Sequence, residues 1–129
     1  MPVIVVGDLN SAADGSTTPT YARFVAPVTA GGAGMDDAWS IARPGAPGLS
    51  SSQAEDLRNF PSQLYQRIDY LLVRAGDAFE LRVRSAETTG DTPAAFERIG
   101  LWPSDHAGVV ATLRLKHQDA ADQEIIAVR

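Results

Sequence analysis

Apolar and polar positions alternate along this chain in a way that marks several strands and a few short helices. Val3-Ile4-Val5-Val6 is an unbroken, mostly β-branched run, the pattern expected of a strand buried on both faces of a central sheet. It ends at Gly7-Asp8-Leu9-Asn10-Ser11, and a small polar loop follows through Thr17. Thr18-Pro19 predicts a helix start, with Thr18 as cap and Pro19 in the first turn. That helix turns Tyr21 and Phe24 inward and stops before Pro27. Past the Gly31-Gly32-Ala33-Gly34 connector, Asp36 is expected to cap a short helix through Ala42, closed by Pro44. Arg43 to Ser62 holds prolines, glycines and Ser50-Ser51-Ser52 with little periodicity. It is expected to be a long surface loop with one helical turn near Ala54-Glu55-Asp56-Leu57, and a loop of that length is more often functional than decorative.

The second half is more regular. Arg67 to Arg74 predicts a strand with Ile68, Tyr70 and Leu72 on one face and Arg67, Asp69, Leu71 and Val73 on the other. Phe79 to Ser85 alternates cleanly, with Phe79, Leu81 and Val83 inward and Glu80, Arg82 and Arg84 outward. With Ala75-Gly76-Asp77 between them, these two strands are expected to form a hairpin. A second loop, Glu87 to Pro103, leads to Ser104-Asp105-His106 and a strand from Gly108 to Leu115. Residues 1–115 form the expected domain. Residues 116–129 are expected to be a polar tail, in which Ile125-Ile126-Ala127-Val128 could add a short edge strand.

Length and composition narrow the picture. The 129 residues suit one domain with one core, and no apolar run approaches the roughly 20 residues of a membrane-spanning helix. Eleven basic and sixteen acidic side chains leave a net charge of −5, which argues against a protein that coats nucleic acid by phosphate neutralisation. It does not exclude a phosphoester substrate, because carboxylates can gather around a cation. With no cysteine there is no disulfide framework, zinc ribbon or thiol nucleophile. Any metal site must use oxygen and imidazole donors, which points first to magnesium, manganese or calcium.

Three short motifs carry candidate chemistry. Asp8 and Asn10 stand two apart at a strand end, where a carboxylate can hold a water or metal while the amide donates to a phosphoryl oxygen. Turn chemistry alone would also account for Gly-Asp-Leu-Asn. Asp69 interrupts an otherwise apolar strand, an expensive placement unless a partner satisfies it. Either Arg67 pairs with it, or it lies at an exposed edge, or it accepts the ring N–H of a histidine. Ser104-Asp105-His106 holds one of two histidines, and an imidazole beside a carboxylate can serve a phosphoryl group and a cation. His117 is expected to be a solvated tail residue.

In order, strand-GDLN, Asp-Ala-Trp, RIDYLLV and SDH running into a strand resemble the endonuclease/exonuclease/phosphatase superfamily, from Val3 to about Leu115. The resemblance implies an α/β (α+β) DNase I-like fold: the second half of a four-layered sandwich of two mostly antiparallel sheets with flanking helices. It implies hydrolysis of a phosphoester in nucleic acid, phospholipid or sugar phosphate by water attack, with one or two divalent cations, usually magnesium. Carried over, Asp8 positions or deprotonates the water, Asn10 donates to the phosphate, and His106 stabilises the transition state, oriented by Asp69. Asp8 and Asp105 lie at or near the metal. Arg67 is expected to be structural, and Asp36, Asp37 and Trp39 to serve packing.

Family members also carry an earlier half with a metal-binding glutamate, and no glutamate here, Glu124 included, has that context. The metal site is therefore expected to be incomplete without that half, and the strand from Gly108 to lack neighbours. A homodimer, strand exchange or an N-terminal half in cis would supply what is missing. The alternative expectation is a catalytically inactive fragment or interaction module.

Overall fold

The computed structural model describes residues 1–118 and the backbone of Ala127–Val128. Two three-stranded antiparallel sheets form its frame. The first has the order β1-β3-β2, from Val3–Asp8, Asp69–Arg74 and Asp36–Asp37. The second has the order β4-β5-β6, from Phe79–Thr89, Gly108–His117 and Ala127–Val128. Short helices α1 (Thr20–Val25), α2 (Ala38–Ala42) and α3 (Pro93–Glu97) complete this small mixed α/β domain.

The central strand of the first sheet is β3, and its sequence explains why. Tyr70 and Leu72 pack with Met35 against Val3, Val5, Tyr21 and Phe24, so α1 covers that face. Leu71 and Val73 point the other way, into a core with Ala38, Trp39, Ala86, Ala111 and Leu113 that joins the two sheets. Each pair belongs to one parity of the strand, as the alternation predicts. Val3–Val6, expected at the centre, lies on an edge instead. Among the described residues only β3 pairs with β1, and Ile4 and Val6 are 45% and 52% exposed because the second sheet packs over β3, not over β1.

The expected hairpin does not form. β3 and β4 belong to different sheets, and β4 pairs with β5 from Phe79↔His117 to Thr89↔Gly108. A register shift between Val83 and Ser85 resets the alternation, so Val83 and Ala86 both face inward. This irregularity hides the strand's continuation to Thr89, which the period-2 pattern places in a loop; α3 then occupies part of the rest. The strand from Gly108 does not lack neighbours: β5 is central, between β4 and β6. Ala127–Val128 forms the edge strand β6, while residues 125–126 and Glu124 lie outside the described residues.

Three local expectations are shifted. Thr18 does not cap α1, whose N-cap is Pro19 and has no side-chain cap bond. Asp36 is an exposed strand residue, and Asp37 caps α2 by accepting the backbone N–H of Trp39 at 3.0 Å. His117 ends β5 with its ring edge-on to Phe79 at 4.9 Å, so it is a packed side chain, not only a solvated one. Trp39 is buried and donates its Nε1–H to the Ala46 carbonyl.

The loop from Arg43 to Ser62 is not wholly on the surface. Ser50, Ser51 and Gln53 are buried, and the segment near Ala54 makes a turn closed by Leu57 N–H to Ala54 O, not a helical element. Phe60, Phe96 and Trp102 cluster with centroids 5.2–6.4 Å apart, tying this loop to the one carrying α3. Among the described residues no helix is long and apolar enough to cross a membrane.

Candidate metal centre

The sheets bring three distant segments to one place. Asp8 is the last residue of β1 and Asp69 the first of β3, and the two are paired directly across the ladder. Like charges directly opposite on adjacent strands repel, so this pairing is unfavourable unless a neighbouring group offsets it. His106, two residues before β5, reaches the same point from the other sheet. Its Nδ1 lies 2.8 Å from Asp69 Oδ2. One donor atom from each of Asp8, Asp69 and His106 lies within 4.8 Å of the others, a spacing compatible with one metal ion.

Asp8 is exposed, and its carboxylate is shaped by its neighbour. Oδ1 accepts the Asn10 backbone N–H at 2.7 Å and Oδ2 the Asn10 side-chain amide at 3.2 Å. Asn10 sits at φ 47°, in the left-handed region that asparagine tolerates better than most residues. Turn chemistry and the candidate site are thus the same structure: the tight turn holds the Asp8 carboxylate in place. Asp105, expected near the metal, is not in the group of three. Its carboxylate accepts from Ser104 Oγ at 3.2 Å, and its backbone carbonyl accepts the N–H groups of Ser52 and Gln53.

The buried part of the long loop supplies residues that sequence reasoning missed. Ser50 is fully buried; its Oγ accepts the Ile68 and Asp69 N–H groups and donates to Asp69 Oδ2 at 2.7 Å. Ser51 Oγ lies 3.2 Å from His106 Nε2. The backbone of Ser51 forms isolated bridges with both Gln66 and His106. A run of three serines has no hydrophobic period to reveal such burial; the only available signal was the unusual length of the loop.

Arg67 does not pair with Asp69. Its guanidinium binds the Asp37 carboxylate and lies 5.4 Å and 5.2 Å from the ring centroids of Tyr21 and Tyr70. Burial alone would raise the Asp37 carboxyl, but Arg67, with help from Tyr21 and Ser40, holds it below the ordinary carboxylate range. Burial raises both Tyr21 and Tyr70, and at Tyr21 the neighbouring Asp37 adds to the effect. This cluster joins α1 and α2 to β3 through Tyr21, Asp37, Arg67 and Tyr70.

Beside His106 opens a cavity of about 630 Å³, bordered by Thr88, Thr89, Arg98, Ser104 and Gly108. Comparison with protein-family models, curated proteins and solved structures gives no match for this chain.

Proposed function

We propose that this chain carries the site of a divalent-metal-dependent hydrolase of phosphoester bonds. The observation that carries this reading is the convergence of Asp8, Asp69 and His106 from three separate segments onto one spot. The order of the GDLN, RIDYLLV and SDH motifs, which resembles the endonuclease/exonuclease/phosphatase superfamily with its DNase I-like fold, points the same way.

The donor set fits a hard cation. Two carboxylates offer oxygen ligands, and the exposure of Asp8 leaves room for the waters that magnesium, manganese or calcium would retain. The His106 Nδ1 has no lone pair to give while it donates its hydrogen to the Asp69 carboxylate, and Nε2 faces Ser51 Oγ, so the two carboxylates are the better ligands. The bound ion would neutralise charge on the phosphoryl oxygens. Asp8 orients the attacking water and accepts its proton as the new P–O bond forms. The ester P–O bond breaks, and the departing oxygen takes a proton from solvent. Asn10 has a second amide hydrogen to donate to the phosphate. His106, held by Asp69, would stabilise the developing charge once its Nε2 carries a hydrogen and turns it from Ser51 Oγ to the phosphate, while Asp105 stands next to it in the chain. Phosphoryl transfer needs mainly such positioning and charge stabilisation. The cavity bordered by Arg98 would take the remainder of the substrate, whether nucleic acid, phospholipid or sugar phosphate.

The test is hydrolysis of bis(p-nitrophenyl) phosphate and p-nitrophenyl phosphate with magnesium, manganese or calcium. Asp8→Ala and His106→Ala are expected to lower kcat at least 100-fold, in line with roughly 10²–10⁴ for a positioned acid–base group. Metal-dependent hydrolysis that survives both substitutions would refute the site.

A second reading is favoured by Ile4 and Val6, which lie exposed on the same strand as Asp8 and at the same parity. In this reading the chain is inactive alone and its site is completed by the earlier half that the resemblance implies, seated on this face. Calorimetry distinguishes the two: stoichiometric metal binding by the chain alone supports the first, and its absence the second.

A further inference from the structure

His106 is held at both ring nitrogens: Asp69 Oδ2 lies 2.8 Å from Nδ1, and Ser51 Oγ lies 3.2 Å from Nε2. An ionised carboxylate only accepts, so Nδ1 carries a hydrogen and Nε2 of the neutral ring keeps a lone pair. The Ser51 hydroxyl can donate to that lone pair, and it can equally accept when Nε2 carries a hydrogen. We propose that Ser51 is a positioning residue that fixes the tautomer and plane of the His106 ring, an inference that rests on the hydrolase reading for its catalytic consequence.

The placement of Ser51 is secured from several directions. Its N–H donates to the Gln66 carbonyl at 3.1 Å, and its own carbonyl accepts the Tyr65 N–H at 3.1 Å. The N–H groups of Ser52 and Gln53 both donate to the Asp105 carbonyl at 3.0 Å, which ties the serine loop to the residue beside His106. Ala107 N–H closes the same junction on the Ser50 carbonyl. Ser52 holds φ at 95°, a conformation that costs a non-glycine residue about 1–3 kcal/mol and persists only where surrounding bonds impose it. The loop is thus bent in a disfavoured shape just where it presents a hydroxyl to the imidazole.

Ser51, His106 and Asp69 also stand in the order of a nucleophilic triad. That role needs free N–H donors for the developing oxyanion. The N–H groups of Ser51 and the two residues that follow it are spent on Gln66 and Asp105. A buried hydroxyl without such donors serves to hold the ring.

The experiment uses the full chain carrying His117→Gln, so that His106 is the only imidazole, and reads its ring nitrogens by long-range ¹H–¹⁵N NMR at one fixed pH. The expected result is a single tautomer with hydrogen on Nδ1 and a hydrogen-bonded Nε2. Ser51→Ala shifts the Nε2 resonance downfield towards an unbonded nitrogen, and Ser51→Thr restores it. If the alanine variant does not fold, Ser51→Cys, with its weaker donor, shows a smaller shift in the same direction. In the hydrolysis assay, Ser51→Ala is expected to lower kcat about 10- to 100-fold, the scale of a misplaced catalytic group, with KM little changed. Threonine restores kcat. An Nε2 resonance that ignores Ser51→Ala and Ser51→Cys overturns the proposal, and so does covalent labelling of Ser51 by an organophosphate. Absence of hydrolysis in the parent chain would sink the hydrolase reading alone, since the ring spectrum still decides what Ser51 does.

Discussion

Replacing Arg67 by methionine tests whether the arginine two residues before Asp69 belongs to the scaffold or to the site. The Asp37 and Arg67 side chains are only 4% and 11% exposed, so the substitution strands a buried carboxylate. Removing one partner of such a pair costs about 3–5 kcal/mol. Asp37 keeps three other donors, the Trp39 N–H, Tyr21 Oη and Ser40 Oγ, which places the loss at about 3 kcal/mol. Two cation–π contacts, with Tyr21 and Tyr70, add about 0.5–1 kcal/mol each. Their sum is about 4 kcal/mol, or a Tm lower by roughly 10–20 °C for a domain of this size. Urea and thermal unfolding followed by tryptophan fluorescence measure it, with Trp39 next to the Asp37 cap as reporter. Arg67→Met combined with Asp37→Asn should cost less than the sum of the single changes, because the stranded charge is gone. A loss under about 1 kcal/mol, or strict additivity, would refute the reasoning. Reduced hydrolysis in an Arg67→Met chain of undiminished stability would assign the arginine to the phosphate instead.

The same cluster predicts a pH profile. Asp37 titrates below its ordinary value in the folded chain, so its contribution is present above the normal carboxylate range and is lost as pH falls through the lowered folded value. Tyr21 and Tyr70 are raised, so their contributions are whole below about pH 10 and are lost as pH climbs above it. Tm measured from pH 2 to 12 should fall at both ends, and Tyr70→Phe should flatten the alkaline limb; an unchanged limb contradicts the assignment. At Gly48, φ is +60° and an added Cβ would lie 2.4 Å from Trp39 Cε2, so Gly48→Ala should cost about 1–3 kcal/mol by overpacking. Unaltered stability in that variant would mean the Trp39 pocket yields more easily than its geometry indicates.

Alternation along the chain located β3, most of β4 and β5, because each buries one parity against the inter-sheet core. It misjudged β1, since four consecutive apolar residues look the same whether one face or both are covered. Adjacency suggested a β3–β4 hairpin, yet Ala75-Gly76-Asp77 carries the chain from one sheet to the other, a choice set by packing far from the turn. In the candidate site, Asp8 and Asn10 were visible at a strand end, Asp69 as a carboxylate inside an apolar strand, and His106 as an imidazole just before a strand. Asp69 as a candidate metal ligand, and Ser50 and Ser51 as buried partners, were not, because hydroxyls in an aperiodic loop leave no trace in the hydrophobic pattern.

Asp69 and His106 reach each other from opposite sheets, so their 2.8 Å contact spans the seam between two stacked layers. Ser50 bridges that seam, its Oγ on Asp69 and its carbonyl on the N–H of Ala107, while Ala86 and Ala111 lie in the apolar core between the same layers. The dyad is therefore fastened to a buried hydroxyl: two layers of sheet meet at one serine, and whatever loosens that serine loosens both halves of the pair together.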